Sequence, residues 1–537
     1  MFLKFLKSRK YSQLRGRIRG YALSRRNGGF ESIRNLKNNL VSIRVFKSKF
    51  MVNWFFSHSI PDAELVVRQF IFDRYGGVKL TNAIFECIGS RKPIKMGMPA
   101  SWRSHLIEND FPVNHFFSKI AWWVTLTFRF IRGIIEIGRL CSKQIRINTI
   151  KFQFKKYVYL DGMSPSNLPS HNGGESRYDF CSWYAQWPDK VIGVQAITHD
   201  VKGASPCNIY SFDIYYVPPP YDYPMGWRGV LKFSIWGLCA VFWAGLNMLI
   251  GRWYLALMLG EAARASAVRQ VNSNILAAEY LFHASRSIYR PLWTYEVEKK
   301  GAEVALFFYS TMAQPRLISG PVTQKFEWGP NTWPKFMVWD DYQEALLRRD
   351  LGDSFAIQKV GPVFFSDIGE ALPEIPTNAI AVFVIQPHRI SSHLGFSTLA
   401  DCQADFPDYF HRFLRDVSEV LLENGVTMVL KTKREIGSRG NKSYEQILKG
   451  LENQNHILCI KSGIAARRLA EVCKASISAP FTSTAIFAQQ IGHPSIYYDP
   501  VGWMQRGDEA AHGIPVLSGK NELRAWIKGL QTDLQAF

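Results

Sequence analysis

Three hydroxyl side chains fall together in the stretch Ala479, Pro480, Phe481, Thr482, Ser483, Thr484, Ala485, between an apolar run at 475–478 and a helical pattern reaching about residue 490. The first amides of a helix have no internal partner and the helix dipole favours negative charge there, so hydroxyls at a strand-to-helix turn suit a phosphate. The same residue types serve as a plain N-cap, and the turn by itself does not choose between the two. Its neighbours weigh on the choice. Four further apolar runs predict strands, and polar residues follow each: Gln386, Pro387, His388 and Arg389; Lys431, Thr432, Lys433, Arg434 and Glu435; Lys461, Ser462 and Gly463; Asp499 with Pro500. Cations converging with open amides bind anions, and a diphosphate is the anion that fits.

The fold that the pattern predicts is what gathers these strand ends. From about residue 376, continuous apolar runs at 379–385, 427–430, 457–460, 475–478 and 495–498 alternate with helical patterns at 409–422, 444–451, 465–472, 482–490 and 522–530. Uninterrupted apolar strands belong to a sheet covered on both faces. Strand–helix alternation makes the sheet parallel and doubly wound, with ligands outside the carboxyl ends of its strands. The first half also reads as α/β, with helical insertions. Strand-like pieces stand at 156–160, 180–183 and 209–217, and Tyr184 and the run Pro218, Pro219, Pro220 mark loops.

Two stretches of that half are rich in apolar and aromatic residues. One, at 116–140, holds Trp122, Trp123, Phe128, Phe130 and Ile131 but also Lys119, Arg129, Arg132 and Arg139. The other, at 233–250, is nearly unbroken between Lys232 and Arg252. Roughly eighteen residues is the lower limit for a spanning helix, and arginines inside a span are costly. Shallow insertion is expected, not crossing.

The net charge of +21 over 537 residues is concentrated at the start, where the first fifty residues hold fourteen Lys and Arg against the single acid Glu31. Phe2, Leu3, Phe5 and Leu6 interleave with Lys4, Lys7, Arg9 and Lys10, which suits a helix lying on anionic lipid. No nucleic-acid-binding motif follows, so nucleic acid is not the expected partner. The apolar run is too short and interrupted for a secretory signal, whereas a basic, acid-poor start is shared with mitochondrial presequences. Eight scattered cysteines without a Cys-x-x-Cys pair speak against a zinc site or a disulfide framework and suit a reducing cytosol. There is no G-x-G-x-x-G after the first strand of the second half, no P-loop, and no Ser-His-Asp or metal-ligand spacing.

Taken in order, the residues resemble a known family. Pro480, Phe481, Thr482 and Ser483 match the signature of the polysaccharide biosynthesis proteins named after their PFTS motif, found in bacterial surface-carbohydrate gene clusters. The run from Ile288, Tyr289 and Arg290 to Tyr295 and Glu296 is similar to that family in order and spacing. So are 306–311, Trp333 with Phe336, Met337, Val338 and Trp339, and 359–363; the likeness runs from about residue 281 to the end. The resemblance implies an α/β chain of two Rossmann-like domains, of the GT-B glycosyltransferase type. Three parts follow from it: a basic segment at 1–50, an acceptor-side domain at 51–365 with apolar helices near 116–140 and 231–258, and a nucleotide-sugar-binding domain at 366–537. The chain is also similar to bacterial transferases that use cytidine-monophosphate-activated ulosonic acids. Those place a His-Pro pair after a mid-domain strand, where this chain has Lys431, Thr432, Lys433 and Arg434, and a Ser-Ser or Ser-Thr pair at a helix start, where it has Ser483 and Thr484. Tyr159, Leu160, Asp161 and Gly162 resemble the acidic loop that carries their base, with one acid in place of two.

On that resemblance the expected function is transfer of a sugar from a nucleotide-activated donor, a CMP-linked one included, to a capsule- or O-antigen-like glycan or a lipid-linked acceptor at the cytoplasmic face of the membrane. Thr482, Ser483 and Thr484 with their amides would hold the donor phosphate, Lys431 and Lys433 would neutralise the leaving charge, and His388 would touch the base or ribose. No cofactor and no metal is called for, since GT-B enzymes resemble one another in meeting phosphate charge with helix dipoles and cations. The base for the acceptor hydroxyl is expected from the N-terminal domain: Asp161 first, then His199 and Asp200. Arg290 and Glu296 are expected as an ion pair in the cleft wall. Two other readings share the architecture. A nucleotide-sugar epimerase would turn over donor without acceptor, and a non-catalytic, membrane-associated assembly subunit would bind donor without turnover.

Overall fold

The computed structural model describes residues 62–146, 156–165, 168–169, 180–185, 193–209, 212–283, 289–308, 331–362, 371–387, 407–432, 440–461 and 463–535, with parts of the first 60. The chain divides into two compact units. Unit 1 takes Met1–Phe307, Lys325–Met337 and Ser354–Ala356; unit 2 takes Phe308–Gln324, Val338–Asp353 and Ile357–Phe537.

In unit 1 the strands are β1 (Tyr157–Asp161), β2 (Ala196–His199), β3 (Cys207–Ile209), β4 (Phe212–Tyr216), β5 (Glu279–His283), β6 (Glu303–Phe307), β7 (Lys335–Val338) and β8 (Ala356–Lys359), the last two crossing the division. They form one sheet in the order β3-β4-β2-β1-β5-β6-β7-β8. β4, β2, β1, β5, β6 and β7 pair in parallel, and β3 is antiparallel to β4. Counted along the chain, those parallel strands stand in the Rossmann order 3-2-1-4-5-6, whose order reverses between β1 and β5.

Unit 2 repeats the order. Its strands are β9 (Ala379–Val384), β10 (Thr427–Thr432), β11 (Ile457–Ile460), β12 (Ala475–Ser478), β13 (Ser495–Asp499) and β14 (Val516–Ser518). All pair in parallel as β11-β10-β9-β12-β13-β14, again 3-2-1-4-5-6, with the reversal between β9 and β12. The two Rossmann-like units are the pair of α/β domains that the GT-B expectation calls for, and unit 2 is the doubly wound parallel sheet. Every residue of β9 is buried, as expected of a central strand covered on both faces. The predicted helices of this half are present, two of them starting one residue later than expected and three extended at both ends; the one for 522–530 runs over Gly519–Gln535, and β14 is an additional short strand.

Two readings of the first half need correction. Residues 180–183 are not a strand and Tyr184 marks no loop: all belong to a helix, Phe180–Ala185, whose six residues are all buried. Burial on every side leaves no period to read, and the aromatic content alone suggested a strand. The single strand at 209–217 is instead the last residue of β3 and the whole of β4, which run antiparallel.

Three helices make the insertions of unit 1. α1 (His115–Arg146) precedes β1; α2 (Gly226–Leu249) and α3 (Tyr254–Gln270) lie between β4 and β5. α3 is buried along nearly its whole length, and α1 and α2 both pack on it. Across the antiparallel α1–α2 pair, Cys141 meets Ser234 and Ile137 meets Gly237, while Phe130 meets Gly245. A Cβ on Gly237 would stand 2.8 Å from Ile137, so the glycine sets how closely the helices approach. Half-buried charges lock the layer: Glu136 accepts from Arg139 and Arg264, and Asp222, at the entry to α2, accepts from Arg139 and Lys143. α2 is long and apolar enough to cross a membrane by length and composition, with a third of its most apolar window buried. Described residues of the 1–50 segment pack into unit 1: Ile33, Leu36 and Leu40 are buried, and the buried Lys37 donates to Thr81 Oγ1.

Candidate functional site

In doubly wound sheets ligands sit outside the carboxyl ends of the strands where the order reverses. In unit 2 that point lies after β9 and β12, and the turn after β12 is Ala479 to Thr482. It leads into α4 (Ser483–Gln490), of which Thr482 is the N-cap residue. No side chain caps this helix. The Thr482 hydroxyl turns back to donate to Ala479 O (2.8 Å), and the Ser478, Thr484 and Thr482 hydroxyls form a chain with 3.0 and 3.2 Å links. The helix's first amides are therefore left without the side-chain partner that a plain cap would supply.

The backbone reaches this arrangement through strain. Phe481 has φ +60°, a left-handed conformation unfavourable for a bulky side chain. Such strain costs about 1–3 kcal/mol and persists where surrounding structure over-determines it. Here the Phe481 ring is buried and stacked on Tyr497 (centroids 5.5 Å apart, 27°), whose hydroxyl donates to Thr482 O at 3.0 Å. Ring and backbone are thus fixed by one residue of the next strand.

Lys431 belongs to the same row of the sheet. Its register partner on β9 is Phe383, Phe383 pairs with Ser478, and Ser478 with Tyr497. Partners in register across parallel strands share a face. Lys431, Ser478 and Tyr497 therefore lie on one face at the carboxyl edge, that of the core of Phe383, Val429 and Leu469. Lys431 is 5% exposed and donates to Thr432 O; burial lowers its pKa below the usual lysine range. A bound anion would offset that cost. His388 and Lys433 lie outside the described residues.

The reversal in unit 1 lies between β1 and β5, and the residues there are of another kind. Asp161 ends β1, with Gly162 next. Leu160 is in register with His199, which sets Asp161 beside Asp200 at the edge. Asp200 accepts from the backbone N–H groups of Gly162 and Met163, both at 2.9 Å. His283, ending β5, hydrogen-bonds through Nε2 to Gly162 O at 2.8 Å. Gly162 is required twice over, by φ +77° and because a Cβ would stand 3.1 Å from His283 Nε2. Burial, and then the neighbouring Asp200 charge, push the Asp161 carboxyl up to about 7. Asp200 is also raised by burial, but its two amide partners and His283 pull the other way. Of the pair, Asp161 is the carboxyl biased toward holding a proton. Tyr159, on the Asp161 side of β1, has a buried hydroxyl without a hydrogen-bond partner among the described residues.

His199, the other expected base, is 1% exposed; its Nδ1 accepts from Val201 N–H, and burial lowers its pKa to about 4. It is a fixed neutral group. Arg290 and Glu296 do not form the expected ion pair. Arg290 bonds Thr294 Oγ1, Thr332 O and Glu298 and lies over the Tyr295 ring, whereas Glu296 accepts from Arg269 of α3. Residues 296 and 298 lie about 200° apart around the helix Leu292–Lys299, so only Glu298 shares the face of Thr294, which Arg290 also bonds. Among the described residues no group of three or more His, Cys, Asp and Glu is placed to hold a metal ion.

Sequence reasoning passed over Ser478, Tyr497 and His283. Ser478 and His283 end their strands, a place that would have drawn attention to them, while Tyr497 lies within its strand; which of them meet depends on strand order.

The sequence model of the family described as polysaccharide biosynthesis PFTS motif proteins matches residues 241–527, more than half of the chain. No curated protein matches the chain. Among solved structures, the wall teichoic acid polymerase TagF is 12% identical at a TM-score of 0.36, covering 77% of this chain and 90% of that one. The UDP-GlcNAc 2-epimerase of Methanocaldococcus jannaschii is 9% identical at 0.36, covering 70% and 92%. Os79 of O. sativa, solved in complex with UDP, is 9% identical at 0.34, covering 70% and 90%.

Proposed function

The chain belongs to the polysaccharide biosynthesis PFTS motif family, and on that premise we propose that it is a glycosyltransferase moving a sugar from a nucleotide-activated donor to a surface-polysaccharide acceptor. The observation that carries the reading is the uncapped, strained start of α4 at the switch point of unit 2, with the buried Lys431 in the same row of the sheet. Open amides and a cation at a preorganised turn suit a phosphate whose charge grows as the sugar departs. Thr482, Ser483 and Thr484 hold the donor phosphate in this proposal, and Lys431 meets the leaving charge.

Asp161 takes the acceptor proton. A carboxyl whose pKa stands near neutrality is matched to that task, and Asp200 and His283 fix the loop that carries it. The acceptor is a glycan, lipid-linked and presented at the cytoplasmic membrane face; CMP stands beside UDP, GDP and CDP among the donor nucleotides.

The test is nucleotide binding followed by turnover. Thermal melting with CMP, UDP, GDP and CDP should single out one nucleotide, since a ligand at about 100 times its Kd stabilises by about 2.7 kcal/mol. Ser483→Ala/Thr484→Ala should remove that stabilisation, while the free protein loses only about 1–2 kcal/mol with the Thr484 hydroxyl's links to Ser478 and Thr482. If no nucleotide binds, or the double variant binds as well as the parent, the phosphate role is wrong. Donor turnover that needs no acceptor would move the assignment to an epimerase, and binding without any turnover to an assembly subunit.

A further inference from the structure

α1 and α2 carry apolar side chains on the outside of unit 1 as well as the inside. On α1 an exposed stripe includes Phe116 (75% exposed), Val124 and Phe128; on α2 a second includes Leu238 (75%), Phe242 and Leu249. Spacings of three and four residues place each stripe on one side of its helix. At 1.5 Å per residue each is about 30 Å long. Both helices turn their buried residues toward one another and α3, so the stripes face outward along an antiparallel pair. Such a surface exceeds the apolar patch of an ordinary soluble protein, about 300–600 Å².

The charges beside the stripes are of one sign. Lys119 and Arg132 on α1, Arg228 and Lys232 on α2, and Arg252 at the end of the hairpin are exposed. α2 has no acid at all, and the one acid of α1, Glu136, is bound to Arg139 and Arg264. A second copy docked on this face would set cations against cations with no acid between them. Anionic headgroups complement both features, the apolar stripes below and the cations at their flanks.

We propose that the α1–α2 face is a one-sided docking surface for an anionic lipid bilayer, lying in the plane of one leaflet, and that α2 does not span. α2 passes the length and composition test for a span, but it lies alongside α1 over its length. Carrying α2 through the bilayer would carry Arg132 of α1, which lies between the levels of Gly237 and Gly245, into the hydrocarbon, whereas an in-plane orientation leaves every cation at headgroup level. The Trp227 ring, 73% exposed at the start of α2, suits that interface. The inference is independent of the transfer reaction, because it is read with neither donor nor acceptor.

The full chain is floated with sealed vesicles of phosphatidylcholine, alone or with about a third phosphatidylglycerol, at low and high salt. It should float with the anionic vesicles and be weakened by salt. Leu238→Glu/Phe242→Glu should lower the bound fraction about tenfold or more. Arg228→Glu/Lys232→Glu should lower binding to the anionic vesicles and flatten its salt dependence. All four side chains are exposed, so unchanged thermal melting verifies that the fold is kept. Flotation unaffected by Leu238→Glu/Phe242→Glu would overturn the proposal and point to the 1–50 segment. Lipid-free self-association abolished by the same variant would overturn it in favour of a second copy. Finally, Trp227→Cys and Leu249→Cys should be labelled to the same shallow depth; exposure of Leu249→Cys on the far side of sealed vesicles would establish a span and overturn the in-plane assignment.

Discussion

At the switch point of unit 1 the strand ends supply Asp161, Asp200 and His283 around the backbone of Gly162; at that of unit 2 they supply Lys431, Ser478 and the open amides of α4. The strand order is the same in both, 3-2-1-4-5-6. Shared topology therefore fixes where chemistry is placed and leaves open what it is. One edge raises carboxyl pKa values and, in the proposed reaction, takes up the proton. The other depresses a lysine and leaves helix amides open, which the proposal gives to the donor phosphate. Their means of support differ as well. In unit 1 a glycine adopts the left-handed backbone without strain and hydrogen bonds hold it; in unit 2 a phenylalanine adopts it and a buried ring stack holds it.

The sharpest way to break this division of labour is Asp161→Asn. Turnover should fall about 10²–10⁴-fold while donor affinity, measured by calorimetry, stays at the parent value. Equal loss of donor affinity would erase the distinction between the edges. The parent's rate should rise with pH and level off above about 7, because the base works ionised. Stability runs the other way. Asp161's folded pKa lies above its unfolded value, so its stabilising contribution is complete below the unfolded pKa and is lost as pH rises through about 7. Asp161→Asn should therefore gain stability relative to the parent at alkaline pH, a comparison that chemical denaturation can make.

Phe481→Ala tests the support of the other edge. Loss of a buried ring costs about 3–5 kcal/mol, and the alanine would still have to adopt the positive φ. Denaturant melts should show a loss of that size; a loss under about 1 kcal/mol would mean that the ring does not hold the turn. Lys431→Met should weaken donor binding about 10–100-fold, the worth of a charge-assisted hydrogen bond, and leave the pH profile of turnover in place. A displaced profile would show that the two edges are electrostatically coupled. Asp200→Asn is the mildest. Removing the neighbouring charge should shift the Asp161-dependent limb to lower pH, and a shift upward would refute the assignment of the proton to Asp161.

Much of unit 2 could be read before any coordinates. Its strands alternate with helices of clear period, and β11 and β12 fall where the apolar runs placed them. In unit 1, the Phe180–Ala185 helix escaped because all its residues are buried, and the β3–β4 pair because its strands are only three and five residues long. At the site, the turn and Lys431 were legible as strand-end residues. Arg290 and Glu296 misled, because a motif shows that residues occur together and not which of them touch.

The elements of the C-terminal half, the hydroxyl-rich joint between a strand and a helix, the basic excess and the two apolar stretches are all legible in the residue order. These are local matters, since period, composition and turn chemistry act over a few neighbouring residues. Only the tertiary structure decided that Asp200 and His283 meet at Gly162, that Lys431 lies in register with the row that leads to Tyr497, and that Thr482 does not cap its own helix. Parallel strands adjacent in space are joined by long crossovers, so their pairing depends on burial of the whole sheet and leaves no mark on the local sequence.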